Sequence, residues 1–318
     1  MTTEPPPDLT THVGETTLPD PLLTAAGCGG TGRELDGFLD VSALAGFVTR
    51  TITLDARAGR PLPRILATAS GVLAAVGEQN PGVQAFLAGE LPWLAQRRVR
   101  TVVSVAGTTL GEYAELARRV GPAPGVHGLE VNLATPNRED HDRDFDTDPR
   151  QVAKVVSVVR RDVPRGVAVW AKLSPHSRLA DLARAALDEG ADAIVLGHGF
   201  PGMAVEPDTL RPALGAGAGR LSGPAIHPLA LRCVWDVHAA LPHAAIVGAG
   251  GVRTAADVWA MLVAGASAVQ LGTVLLSDPA APARILAELR ALPGLAAFPR
   301  LADAIGAAHH RRPAEESP

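Results

Sequence analysis

One repeated alternation limits what this chain can become. Eight short apolar, β-branched runs are each followed by a longer segment of helical character. The runs are Leu22–Ala26, Phe47–Thr51, Thr101–Ala106, Gly128–Leu133, Val167–Leu173, Ala193–Gly197, Ala244–Gly248 and Ala268–Gly272. Several, such as Ala245-Ile-Val-Gly248, are apolar throughout, as strands covered on both faces must be. Strands alternating with helices predict βα units and a parallel sheet. Eight units fit a (β/α)8 barrel or a doubly wound sheet, and glycine motifs at the strand ends favour the barrel. That fold takes about 250 residues, so a chain of 318 holds it as one domain with insertions.

The helical segments carry their own start signals. Tyr113–Val120 and Pro149–Asp162 place apolar residues at helical spacing. Asp148 before Pro149 reads as an N-cap with proline at the first helical position. Asp278-Pro279 and Thr254-Ala-Ala-Asp257 open two more helices. Residues 1–17 and 310–318 read as loose termini around a barrel spanning 18–309. The longest polar insertion, Thr135 to Asp148, follows the fourth strand. A loop of that length at the carboxyl end of a barrel strand predicts an active-site lid.

Composition excludes several classes. The 29 basic and 33 acidic residues leave a net charge of −4, so neither a nucleic-acid nor a membrane partner is expected. No stretch approaches the roughly 18 apolar residues of a membrane span. Met1 to Asp20 lacks the apolar run of a signal peptide. A soluble cytoplasmic protein is the expectation. Cys28 and Cys233 make neither a disulfide framework nor a metal site, so no metal is expected. Hydrophobic residues are 47% of the chain but aromatics only 3%, so Ala, Val and Leu must fill the core.

The clearest chemistry lies at the last two strands. The seventh run ends in Gly248-Ala-Gly-Gly-Val252 and the eighth in Leu271-Gly272-Thr273. Glycines let backbone N–H groups approach an anion, and a following helix end adds positive potential. In barrels the loops after strands seven and eight often bind phosphate. The spacing is not that of a dinucleotide fingerprint. Gly215 to Gly223, before Pro224, reads equally as a clamp on the same ligand or as a connector.

These residues belong to a larger set. Ala25-Ala-Gly-Cys-Gly-Gly-Thr-Gly-Arg-Glu34, Gln79-Asn-Pro-Gly82 and Glu130-Val-Asn-Leu-Ala-Thr-Pro-Asn137 come first, followed by Lys172-Leu-Ser-Pro175, Leu221-Ser-Gly-Pro-Ala225 and Ala264-Gly-Ala-Ser-Ala268. With them, the chain resembles the dihydroorotate dehydrogenases, above all the soluble class 1 enzymes, from about Pro21 to Pro279. The resemblance implies a barrel that binds FMN, takes a small-molecule substrate and serves pyrimidine biosynthesis. It implies that Ala25, Ala26 and Gly27 line the isoalloxazine, and that Asn132 and Lys172 reach its polar atoms. It implies that Gly223, Gly250, Gly251, Gly272 and Thr273 hold the phosphate. A buried lysine near the flavin N1/O2 edge would stabilise the anion formed on reduction. Class 1B relatives pair with an iron–sulfur/FAD subunit, so an electron-transfer partner is implied, with the acceptor unassigned. This chain has no cysteine cluster for such a centre. A homodimer is also implied.

The substrate half departs from the family pattern. Class 1 enzymes use a cysteine base to take a proton from C5 while hydride leaves C6. Here the position is Thr135, whose hydroxyl needs a relay to act as a base. Expected amide and lysine positions fall on Ala74, Arg50 and His198-Gly199, leaving Asn132 and Asn137. Arg50 suits a carboxylate; His198 reads as a hydrogen-bonding group, as one titrating near neutral pH, or equally as a packing or surface residue. Each hydrogen bond lost to a charged ligand costs about 1.5–3 kcal/mol. The leading expectation is an FMN-dependent oxidoreductase acting on a CH–CH bond, either of dihydroorotate or, in a paralogue, of a related small cyclic or carboxylated substrate, and two other readings stay open. A flavin-free phosphate-binding isomerase or lyase would be colourless with added FMN. A non-catalytic flavin-binding subunit would hold flavin that no substrate reduces.

Overall fold

All eight runs become parallel strands, and the sheet they form closes on itself. The structure is a computed structural model that describes residues 7–310. The barrel strands are β1 (Leu22–Thr24), β2 (Phe47–Val48), β3 (Thr101–Val105) and β4 (Val126–Asn132). They continue with β5 (Ala168–Leu173), β6 (Ala193–Leu196), β7 (Ile246–Ala249) and β8 (Ala268–Leu271). Each pairs in parallel with the next, and β8 pairs with β1. The last seam, β1 to β2, closes through a parallel bridge between Leu23 and Gly46. There the Thr24 hydroxyl accepts from Val48 N at 2.8 Å and donates to Val48 O at 3.3 Å, standing in for a ladder. A Cβ at Gly46 would run into the Leu23 side chain, so this close seam needs glycine. The runs predicted from sequence overshoot the ladders mainly at their carboxyl ends, where the backbone turns away to build the rim.

Between the strands stand α1 (Leu91–Gln96), α2 (Leu110–Val120), α3 (Pro149–Asp162), α4 (Leu179–Asp188), α5 (His227–Ala240), α6 (Ala255–Val263) and α7 (Ala281–Arg290). Asp148 caps α3 by accepting from Arg150 N, with Pro149 in the first turn. Thr254 and Asp257 form a reciprocal capping box on α6. The expected start at Asp278-Pro279 is displaced: α7 begins at Ala281 with Pro282 in its first turn, and Asp278 instead pairs with Arg284.

Two apolar shells follow from strand alternation. Leu129, Val131, Val169, Ala171, Val269 and Leu271 point outward and pack with the helices. Val48, Val102, Trp170, Val195, Val247 and Ala268 fill the barrel interior. That plug is sealed below by a hairpin, Thr11–Val13 with Thr16–Leu18, whose Val13 and Leu18 are fully buried. This corrects the expectation that residues 1–17 are loose, because two short alternating strands suffice to cap the open barrel end. Residues 1–6 and 311–318 of the expected loose termini lie outside the described residues.

Above the opposite end sits a roof, a four-stranded antiparallel sheet. Its order is Phe200–Met203, Ala218–Ser222, Gly71–Ala74, Ile65–Thr68. It comes from the segments after β2 and β6. The insertion after β4 is ordered too. Pro136–Asn137 pairs with Arg143–Asp144 as a short ribbon, and Asp146 pins its base by accepting from Ser174 N at 2.8 Å.

Candidate active site

The alternation that buries apolar side chains in the lower barrel puts polar ones above them. On β5, Trp170 lies in the plug and Lys172 lies two residues higher. On β8, Ala268 and Gln270 stand in the same relation, and β4 contributes Glu130 and Asn132. Lys172, Glu130 and Gln270 close a ring of hydrogen bonds. Lys172 Nζ donates to Glu130 Oε1 at 3.0 Å and to Gln270 Oε1 at 3.2 Å, and Gln270 Nε2 donates to Glu130 Oε2 at 2.6 Å. Glu130 is fully buried and Lys172 nearly so. A buried carboxylate is tolerated only when paired and bonded in this way.

The ring borders a cavity of about 600 Å³ between the strand ends and the roof. Ala25, Ala26, Asn132, Lys172 and His198 line it, as do Gly223, Gly250, Gly251, Gly272 and Thr273. Gly27, Arg50, Thr135 and Asn137 do not lie on its wall. At one end the backbone N–H groups of Gly250, Gly251 and Thr273 have no partner among the described residues. Gly250 and Gly251 have φ of 127° and 72°, a region that disfavours L side chains. A Cβ at Gly251 would also sit 2.6 Å from His227 N, and one at Gly250 2.7 Å from the Ala230 Cβ. Here the loop after β7 presses against the start of α5. The Thr273 hydroxyl bonds Ser222 Oγ at 2.9 Å, tying the loop after β8 to the roof. Free amides in a glycine cradle, with a lysine on the same wall, suit a phosphate joined to a flat polar ring.

The other end is less regular. Asn132 Oδ1 accepts from Ala134 N at 3.1 Å, so its amide hydrogens are left for a ligand. His198 is half-buried by accessible surface but shielded on most sides, and its Nδ1 finds no partner. Burial, then the charges of Arg220 and Lys172, push its pKa down to about 3. A neutral His198 at physiological pH fits the hydrogen-bonding or packing alternatives better than a group titrating near neutrality. Arg50 turns toward Glu90, Nε to Oε2 at 3.8 Å. Asn137 Oδ1 accepts from Glu139 N, and the residue lies off the cavity wall. Thr135 is fully buried, with its Oγ1 3.2 Å from Gly107 O and 2.9 Å from Tyr113 Oη. Its hydroxyl thus lies off the cavity wall and is engaged by these two oxygens. On the wall near Ala26, burial holds the Cys28 thiol above its ordinary pKa.

Glu130, Gln270, Tyr113 and Arg220 escaped the sequence reading. The first two had a signal: each is the lone polar residue between apolar neighbours in a strand, Leu-Glu-Val and Val-Gln-Leu. Arg220 had none, since its partners, the Gly199 carbonyl and Asp144, lie far from it in the chain. Among the described residues no cluster suits a metal ion, and no helix is long and apolar enough to cross a membrane.

The comparisons agree with this geometry. The family profile described as dihydroorotate dehydrogenase matches residues 8–292. A dihydroorotate dehydrogenase B (NAD(+)) catalytic subunit from Anoxybacillus flavithermus is 42% identical over 294 residues, covering 91% of this chain and 92% of its own. The protein of the same description from Pelobacter propionicus is 39% identical over 302 residues, covering 95% and 98%. The crystal structure of a dihydroorotate dehydrogenase from Eimeria tenella in complex with ferulenol superposes with a TM-score of 0.80. It is 21% identical and covers 98% of this chain and 91% of that one, a likeness of fold.

Proposed function

This chain belongs to the dihydroorotate dehydrogenase family, and from that premise we propose that it is an FMN-dependent oxidoreductase converting dihydroorotate to orotate. The observation that carries the reading is the juxtaposition of Lys172 and the Gly250–Gly251–Thr273 amides on one cavity wall. FMN supplies the two-electron acceptor when bound.

The chain's own residues supply binding and order. The free amides and the loop glycines hold the phosphate. Ala25 and Ala26 floor the ring site, with Gly27 turning the chain beside it. Lys172 has three N–H donors and spends two inside the barrel. The third serves the ring, as do the Asn132 amide hydrogens. The roof stands over this wall, and exclusion of water there by bound flavin would strengthen each of these interactions. In the substrate half, His198 offers a neutral nitrogen to a ring N–H or C=O, and Arg50 a charge beside the cavity. We assign Thr135 and Asn137 to holding the segment after β4 in place rather than to contact with substrate.

The names of the relatives, catalytic subunits of NAD(+)-dependent enzymes, support an electron-transfer subunit as partner. Exposed Ile65, Met203, Val205 and Leu210, on the roof and the ribbon extending it, support a homodimer. The test is anaerobic mixing of FMN-loaded protein with dihydroorotate. Bleaching near 450 nm is the expected result. Loaded protein that stays oxidised would shift the assignment to another carboxylated ring, and protein that takes up no FMN would sink the reading.

A further inference from the structure

We infer that Glu130 is a positioning residue that sets the redox poise of the bound flavin by offsetting the charge of Lys172. The inference rests on the FMN reading and goes beyond it, because it assigns work to a residue that lies below the cavity wall.

Three observations carry it. First, Glu130 has no exposed surface, and it stands in register between Trp170 on β5 and the small buried Ser104 on β3, above an apolar plug. A well-packed apolar residue in such a place is often as stable as an ion pair or more so, so stability alone does not explain the carboxylate. Second, the ring saturates the groups it contains in a directed way. Both Glu130 oxygens are used, one by Lys172 and one by Gln270. Gln270 offers its own oxygen back to Lys172. A long flexible ammonium thereby loses its freedom and keeps one donor for the cavity. Third, the two charges are adjacent, Lys172 Nζ lying 3.0 Å from Glu130 Oε1. A flavin oxygen or nitrogen within hydrogen-bond reach of Nζ would meet a positive charge about 3 Å away and a negative one roughly twice as far, which cancels roughly half the lysine's potential. Reduction places negative charge on the ring, so Glu130 limits how strongly Lys172 favours the reduced form.

The test is a charge series read as the midpoint potential of bound FMN. Wild type, Glu130→Gln, Lys172→Gln and the double variant are each equilibrated with reference dyes. Glu130→Gln is expected to favour reduced flavin at least tenfold, a rise of about 30 mV for a two-electron couple. Lys172→Gln is expected to shift the equilibrium at least tenfold the other way. The double variant, with neither charge present, should lie between Lys172→Gln and wild type, below wild type by about as much as Glu130→Gln lies above it. If Glu130→Gln alone does not fold, the step from Lys172→Gln to the double variant must still raise the potential. A flat series, or a fall on removing Glu130, overturns the inference. A change in FMN content without a change in potential also overturns it, since that marks Glu130 as structural only. Wild-type protein that takes up no FMN defeats the underlying reading instead.

Discussion

Tyr113 Oη lies 2.9 Å from Thr135 Oγ1 and 2.6 Å from the carbonyl of Asn132. The shorter contact takes the single phenolic hydrogen, so Tyr113 donates to Asn132 and Thr135 donates to Gly107 or to Tyr113. Both groups are fully buried, and burial holds the phenol well above its ordinary pKa. A proton passed from Thr135 to Tyr113 would end on a backbone carbonyl that does not keep it. The pair is a brace between α2 and the segment after β4, placed at the position where the family resemblance had implied a base.

Thr135→Ala and Tyr113→Phe are therefore expected to slow flavin reduction by dihydroorotate less than tenfold. Each should cost about 1–2 kcal/mol of stability, the scale of one lost buried hydrogen bond. Stopped-flow absorbance and urea unfolding measure the two effects. A hundredfold loss of reduction rate in both variants would restore a proton relay through the pair.

Gly251→Ala should abolish FMN retention while leaving a folded barrel. Its φ of 72° and the 2.6 Å approach to His227 N forbid a Cβ without moving the loop after β7. The loss should exceed tenfold in Kd, read by fluorescence titration of released flavin. Gly27→Ala is the control. It has φ of 80° but open space around a new Cβ, so it should strain the turn and spare the phosphate end.

His198 makes stability depend on acid. Its pKa in the folded protein, about 3, lies below the unfolded value of 6.5. The unfolded chain then binds the proton more readily. The stability from burying a neutral imidazole is full above pH 6.5 and is lost as the pH falls toward 3. By pH 5 the loss is about 2 kcal/mol. His198→Asn should flatten that part of the stability profile, and an unchanged slope in urea titrations between pH 7 and 5 would count against the burial described here.

Arg220 tethers three pieces of chain. It faces Ala74 across the roof, donates to Gly199 O at 3.0 Å and lies 3.7 Å from Asp144 on the ribbon after β4. Part-exposed pairs of this kind are worth at most about 1 kcal/mol, so Arg220→Ala should leave global stability nearly unchanged. Local opening should increase instead. Trypsin cleavage at Arg138 and Arg143 is expected to accelerate several-fold, with Asp144→Asn giving a similar effect. Equal cleavage rates would show that the ribbon is held by Asp146 and Ser174 alone.

The eight strands and the alternating helices were legible in the chain, because apolar runs buried on both faces and capped helices are local properties, while the barrel was favoured over a doubly wound sheet by the glycine motifs at the strand ends. The glycine cradle was legible for the same reason: a positive φ is a demand on one residue, and Gly250 and Gly251 announce it. Lys172 and Asn132 were found through motif likeness. What only the tertiary structure decided is where long or mobile groups end up. Lys172 meets Glu130 across 42 positions and Gln270 across 98, and no local pattern encodes that meeting. Arg50 turns to Glu90, Thr135 to Tyr113, and residues 11–18 fold under the barrel instead of trailing from it. Each of these outcomes depends on which distant surface offers a charge, a hydroxyl or an apolar floor, and that is settled only once the barrel has closed.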